Sequence, residues 1–467
     1  MEQALNLAGQ NRGELEAVLN RYKSNPADSL KYQAACFLIE NMPGRYSEDD
    51  RPVEDYDVLF DKWFHLQRNG RKYIEENIFD SLAIAYHLVS GKKILADVEY
   101  MKASYLINNI ERSFEVWTSM PWGKDIPFNV FCEEILPYRL GSETLENWRD
   151  LVLEQYKSLY DSLRMGDMDV ESACIRIFEA MGLEWDSINK LSGLLPYMNY
   201  SMINRMRTGN CTERVKYGIY TIRAMGIPVA WDYTPQWPFR SMGHSWASVR
   251  NKEGKYIPFI PTESKPGEPH KADHKMAKAF RHTFGINPQS LAHLTKMENI
   301  PPVFRNLRMR DVSSLSFSSA NISFCQDMLF NTKQDYLFLA VFDNQRWTPI
   351  HWSKREDPVV FSDMGKDIVY LPVSYKNQAI YPCGTPFLFT GDGEIQWLKA
   401  DTTRRQTLKL IRKHPFLANW HVKMAGGQFQ GANRPDFADA VTLHTINHDP
   451  DFYYQEIIIK DTGTYRY

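Results

Sequence analysis

The chain has 467 residues, of which 43% are hydrophobic and 24% charged, and its formal net charge is −2. That length allows about three domains, and the near-neutral balance gives no global attraction to nucleic acid or to an anionic membrane. No run approaches the ~18–20 consecutive apolar residues of a spanning helix, and the opening MEQALNLAGQNRGELEAVL is acidic and helix-like, not a basic stretch followed by an apolar one.

Residues 1–165 read as a helical region. RGELEAVLNRYK and DSLKYQAACFLIENM repeat apolar positions at i, i+3, i+4 and i+7. PVEDYDVLFDKWFHLQRNG and NIFDSLAIAYHLVSG follow the same logic, each ending at a glycine of C-cap type, Gly70 and Gly91. SETLENWRDLVLEQYKSLYDSL predicts one long helix with Ser142 as its N-cap.

Residues 166–305 mix helices and strands. DVESACIRIFEAMG predicts a helix closed by Gly182, and VAWDYT, HSWASVR and KYIPFIPT predict strands. From 306 to 412 the pattern becomes β-rich, with runs such as DYLFLAVFDNQRWTPIHW and DIVYLPVSY separated by turn signals at Asp343-Asn344 and Gly391-Asp392-Gly393, the signature of a β-sandwich. Residues 413–467 are a further β-rich tail with too few strands to close a sheet of its own.

The chemistry centres on GNCTERVKYGIYTIRAMGIPVAWDYT, residues 209–234. Val215, Ile219 and Ile222 share one helical face. Asn210 is a favoured N-cap, and Gly226 with Pro228 stops the helix. Cys211 therefore falls in the first turn, where unpaired N–H groups and the positive end of the helix dipole favour an anion. A thiolate is the nucleophilic form of cysteine, and helix N-termini lower its pKa. The partner base is His244, in a strand whose alternation puts His244, Trp246 and Ser248 on one face. Cysteine at a helix start with histidine on a strand is the arrangement of papain-like enzymes. The competing reading is structural: the chain holds six cysteines and 12 histidines, and a free cysteine is more often a small buried hydrophobe.

RTGNCTERVKYGIYTIRAMGIPVAWDYT, GHSWASV and GKYIPFIPT, in this order across residues 198–263, resemble the transglutaminase-like core, and WDYT is similar to a segment of peptide N-glycanases. The ILPYR segment at 135–139, the helical N-terminal region and the C-terminal β region resemble the transglutaminase-domain proteins of Bacteroidota. The tail GGQFQGAN with DAVTL resembles the entry to a discoidin-like sugar-binding module. The resemblance implies an α+β fold with a transglutaminase/papain-like core at 166–305, wrapped by the helical region and followed by β-sandwich material. It also implies a periplasmic or cell-surface location after removal of a signal. The family's usual strand-end Asp before Pro-Thr is Ile260 here, and Glu263 is the nearest acidic replacement for the third member that orients an imidazole.

Other constellations are weaker. His270 and His274 stand at i, i+4 but lack the Glu of a metalloprotease motif, so a polar loop is expected. Glu133 and Glu134 are adjacent and face different directions, so they make no glycosidase pair. Arg139 is expected in a structural ion pair. The loop TPQWPFRSMG carries Trp237, Phe239 and Arg240, and Trp237 and Trp246 are the candidate substrate contacts. No C-x-x-C and no calcium loop occur, so no cofactor or metal is expected. The expected activity is cysteine-dependent hydrolysis of an amide in a peptide or glycopeptide. The alternative is a catalytically degenerate protein that binds glycans or peptides through its aromatic residues.

Overall fold

A computed structural model describes the chain except for residues 69–76, 90–93, 188–193, 240–241, 269–274, 331–332, 343–345, 400–402, 404–406, 412–424, 433–438, 448–453, 459–463 and 467. Gly70, Gly91, Arg240, His270, His274 and the Asp343-Asn344 turn thus lie outside the described residues. The fold is α+β, with helices toward the N-terminus and antiparallel sheets in the C-terminal half. It divides into two compact units: Met1–Pro235 with Gly243–Ser318, and Gln236–Met242 with Ser319–Tyr467.

The first unit opens with α1 (Glu2–Leu7), α2 (Arg12–Lys23) and α3 (Ser29–Glu40), then α4 (Asp57–Arg68), α5 (Asn77–Ala85) and α6 (Asp97–Tyr100). The predicted periodicity is what they bury: Leu15, Val18, Leu19 and Tyr22 on α2, and Ala34, Ala35, Leu38 and Ile39 on α3. α7 (Ala103–Ser119), α8 (Phe128–Glu134), α9 (Trp148–Gln155), α10 (Lys157–Met165) and α11 (Val170–Met181) follow. Asp169 caps α11 by accepting the Ser172 N–H at 2.8 Å, and Gly182 closes it at φ 73°. α12 (Tyr200–Met206) leads into α13 (Cys211–Ala224). One continuous apolar core joins these helices to the sheet beyond them, from Ala4 to Phe284.

The long helix expected from Ser142 is instead two helices, α9 and α10, that begin at Trp148 and break at Tyr156. Ser142 does not cap either one. Its hydroxyl donates to Glu48 at 2.6 Å, and the preceding turn is shaped by Glu143, whose carboxylate accepts the N–H groups of Leu140 and Gly141 at 2.7 and 2.9 Å. The same carboxylate receives Lys216 Nζ at 3.2 Å and the Tyr220 hydroxyl at 2.5 Å, both from α13. A tertiary demand for a buried anion therefore overrides the local helix pattern.

Four two-residue strands precede the main sheet: β1 (Tyr46–Ser47) pairs with β2 (Leu95–Ala96), and β3 (Asp186–Ser187) runs parallel to β4 (Thr208–Gly209). The main sheet has five antiparallel strands in the order β7-β6-β5-β8-β9. These are β5 (Val229–Thr234), β6 (His244–Arg250), β7 (Tyr256–Phe259), β8 (Phe280–His282) and β9 (Met309–Asp311). The first three match the strands expected from sequence; β8 and β9 are too short to give a periodic signal. Directly opposite residues share a face, so His244, Trp246 and Ser248 lie with Thr234, Asp232 and Ala230. Ala247, Val249 and Phe259 belong to the apolar core, and α13 packs against β5 and β6.

The second unit consists of antiparallel sheets. β10 (Ser319–Phe324) pairs with β13 (Val359–Gly365). A six-stranded sheet joins β11 (Tyr336–Phe342), β12 (Trp347–Lys354), β14 (Ile368–Lys376), β15 (Ala379–Pro382), β16 (Phe387–Phe389) and β17 (Ile395–Trp397). The Gly391-Asp392-Gly393 signal forms the β16–β17 turn, with Gly393 at φ 85°. Toward the C-terminus β18 (Thr407–Ile411) pairs with β21 (Tyr454–Ile458), while β19 (Gln428–Ala432) lies between β20 (Val441–Thr445) and β22 (Thr464–Arg466).

The expected ion pair of Arg139 is present, with Asp97 at 3.0 Å and both side chains buried. Glu133 and Glu134 also have separate structural partners. Glu133 accepts the N–H groups of Phe284 and Gly285 at 2.7 and 3.1 Å. Glu134 takes the Tyr256 hydroxyl and lies 3.5 Å from Arg281, which holds Asp232 through two contacts of 2.7 and 2.9 Å.

Two tests follow from this packing. Gly218 sits in mid-α13 directly under Pro261, whose ring a Cβ would overlap. Gly218→Ala is expected to destabilise the fold by ~1–3 kcal/mol as overpacking. Gly13→Ala in α2, where no atom lies within 4 Å, is expected to stabilise it by ~0.5–1 kcal/mol; thermal melts of the two variants should move in opposite directions. The second test concerns acid. Burial tends to raise the Glu143 carboxyl, but the Lys216 and Arg139 charges and its hydrogen bonds outweigh this and hold it at about 2. Its folded pKa is below the unfolded value of ~4.3, so its stabilisation is present above ~4.3 and is lost as pH falls toward about 2. Glu143→Gln, which strands the buried Lys216 charge, is expected to cost ~3–5 kcal/mol at pH 7 and to flatten the acid limb of denaturant midpoint against pH.

Candidate functional site

Cys211 is the first residue of α13, and three local features fix it there. Gly209 turns the chain at φ 145°, and a Cβ on it would stand 2.7 Å from Cβ of Glu213. Asn210 caps the helix by accepting the Thr212 N–H at 2.7 Å, while its own N–H donates to Glu213 at 2.9 Å, a reciprocal capping box. The Trp185 indole N–H donates to the Gly209 carbonyl at 3.0 Å, next to the β3–β4 pair. The thiol is half-buried, in a first turn where the positive end of the helix dipole favours negative charge.

A cation adds to this field. Arg214, three residues along α13, has an 11% exposed side chain and lies 5.5 Å above the Trp185 ring. Burial lowers its pKa, opposed by the charges of Glu263 and of the Cys211 thiolate. Glu263 meets Arg214 at 3.1 Å. The structure thus brings Glu263 to the same end of α13 as Cys211 and joins it to Arg214. Neither Arg214 nor Trp185 was a candidate from sequence. Their signal was weak: Arg214 reads as an ordinary helical cation, and Trp185 lies in a segment without periodicity.

His244 starts β6 and is buried. Gly243 before it admits no side chain, because a Cβ would collide with the carbonyl oxygen of Thr234, and this close approach seats the hairpin entry. The His244 and Trp246 rings lie 6.2 Å apart at 31°. Trp246 is 1% exposed and Trp237, in the second unit, 0%. Ile260, at the position where the resemblance expects Asp, is buried; its N–H donates to Ser264 Oγ at 3.0 Å and its carbonyl accepts the N–H groups of Glu263 and Ser264, both at 2.9 Å. The turn after β7 is therefore closed on itself and places Pro261 on α13 and Glu263 beside Arg214. Thr262 in that turn has φ 64°, costly for a β-branched residue.

Other cysteines sit in a different environment. Burial raises the thiols of Cys36, Cys132, Cys174 and Cys383, those of Cys132 and Cys383 to about 12. Among the described residues no group of three or more His, Cys, Asp or Glu is placed to hold a metal ion, and no helix is long and apolar enough to cross a membrane.

No family model matches this chain, and no curated protein matches its sequence. Among solved structures it is similar to that of a candidate cysteine protease from Cytophaga hutchinsonii, with 16% sequence identity and a TM-score of 0.19 over 25% of this chain. The match spans 37% of that protein's length, so this chain covers little more than a third of it.

The environment of Cys211 makes a direct forecast. Iodoacetamide at pH 7 is expected to label Cys211 before Cys132, Cys174 and Cys383, as read by peptide mass mapping at short times. Asn210→Ala and Arg214→Gln should each slow that labelling without slowing the rest.

Proposed function

We propose that this protein is a cysteine-dependent amide hydrolase built on a transglutaminase/papain-like core, with Cys211 as nucleophile and His244 as base and acid. The observation that carries the reading is the setting of Cys211: a half-buried thiol at the first position of a capped helix, with the Arg214 cation nearby. That setting favours the thiolate.

In this mechanism the proton of the Cys211 thiol passes to His244, and Sγ bonds to the amide carbonyl carbon. The positive end of the α13 dipole stabilises the oxyanion. The C–N bond then breaks as His244 returns the proton to the leaving amine, and a thioester remains. His244 next takes a proton from water, hydroxide adds to the thioester, and the Cys211 thiol and a carboxylic acid leave. Glu263, held by Arg214, is the carboxylate of the site in this reading, and peptides or glycopeptides are the substrate class. Trp246, beside His244 on β6, is the aromatic residue of the site in this reading.

A second reading has its own support. Ile260 replaces the strand-end Asp, and Glu263 is engaged by Arg214. A core without its orienting carboxylate suits a protein that binds peptides or glycans and does not cleave them. A peptide-amide library with ammonia or amine release as the readout separates the two. Cys211→Ala and His244→Ala are expected to lose turnover by at least ~10²–10⁴-fold, and Glu263→Gln by ~10–100-fold, all with unchanged melting temperature. Binding of library members with no turnover by the wild type would favour the binding protein, and a fully active Glu263→Gln would remove Glu263 from the site.

A further inference from the structure

At the other end of α13, roughly 18 Å along the helix axis from Cys211, the first unit has a small, partly open cavity. Its walls include Arg45, Arg139, Arg223, Trp231, His282 and Glu133. They are rich in donors and short of acceptors. Trp231 is 6% exposed, and its indole N–H is buried without an acceptor among the described residues. Arg223 spends Nε and Nη2 on the Val229 carbonyl, at 3.1 and 2.8 Å. Arg45 spends Nε and Nη2 on the carbonyls of Asn41 and Phe284, at 3.3 and 2.7 Å, and stacks 3.9 Å from the Phe284 ring. That leaves Nη1 of each arginine without an acceptor among the described residues, and neither arginine forms an ion pair with a carboxylate there.

The acid on the wall is already committed. Glu133 accepts backbone N–H groups at 2.7 and 3.1 Å, and Arg139 is neutralised by Asp97 at 3.0 Å. The half-buried Arg45 guanidinium, the buried Arg223 guanidinium and a buried indole N–H thus line one cavity whose carboxylate is engaged elsewhere. Buried donors without an acceptor are costly. A water molecule answers them poorly, since it accepts about two hydrogen bonds and needs acceptors for its own two hydrogens. A monatomic anion accepts from every direction and neutralises the charge. About 20 Å³ is available to a water-sized body, above the ~10–15 Å³ such a body needs. A polyatomic oxyanion needs more room.

We propose that this cavity binds a single monatomic anion, chloride in ordinary salt, between Arg45, Arg223 and Trp231. Repulsion fits the assignment: after desolvation, the Arg308 and Arg139 charges help depress the Arg45 guanidinium, to about 9, and a bound anion relieves that repulsion. The ion ties the loop around Arg45 to the end of α13 and to β5, so it acts on stability.

The test uses the full chain. Crystals grown in sodium bromide are expected to give an anomalous peak between the three side chains. In solution, replacing sodium gluconate by sodium chloride at constant ionic strength should raise the melting temperature of the wild type, because a ligand that binds the folded state stabilises it. Arg45→Met should lose that rise, and Trp231→Phe should need more chloride for the same rise. Absence of the bromide peak overturns the proposal and assigns water to the cavity. An equal chloride-specific rise in Arg45→Met overturns it as well. The bromide experiment on the wild-type chain decides the matter if Arg45→Met does not fold.

Discussion

The buried pair of Lys216 and Glu143 is the constraint on which the first unit is built. α13 is buried on all sides from Arg214 to Ala224, yet it carries Arg214, Lys216 and Arg223. A helix so enclosed has no water to solvate three cations, so each needs an answer from another element. Glu143 answers Lys216, Glu263 answers Arg214, and the Val229 carbonyl answers Arg223. The answers come from the loop before α9, from the turn after β7 and from the start of β5. Removing any of these leaves a charge in the core, which is why the helical region and the sheet share one unit.

The same bonds set the position of Cys211. Lys216 and Tyr220 reach Glu143 from successive turns of α13, which fixes the helix in translation and rotation. The capping box then fixes its first turn. On the sheet side, the two close approaches at Gly218 and Gly243 work without hydrogen bonds. The first lets the turn after β7 lie flat on α13; the second lets β6 start hard against the end of β5. The residues proposed for chemistry are thus placed by contacts that tolerate no added atom. Strain at Thr262 fits the same design, since a turn this tight cannot relax every φ.

The sequence showed most of what is local. The cap at Asn210, the stop at Gly226, the closure of α11 at Gly182 and three core strands were legible because caps, glycines and apolar periods act within a few residues. What it hid was long-range. Ser142 looks like an N-cap, but the demand of Lys216 for a counter-charge draws Glu143 into a turn instead. β8 and β9 are three residues each and are defined by their partners, not by their own pattern. Arg214 and Trp185 gain meaning only because the fold brings them to one helix end. Glu263 is the nearest carboxylate in sequence; its contact with Arg214 depends on a turn closed by Ser264, which no spacing rule reveals.

The central claim is that the start of α13 makes Cys211 a nucleophile for a carbonyl served by His244. The most direct measurement is intact mass and peptide mapping after exposure to a peptide carrying a carbonyl electrophile that forms a stable thioester or thiohemiacetal. The account predicts one adduct, on Cys211, formed rapidly at neutral pH and slowed by His244→Gln. Adducts spread over several cysteines, or a Cys211 adduct formed equally fast in His244→Gln, would contradict it.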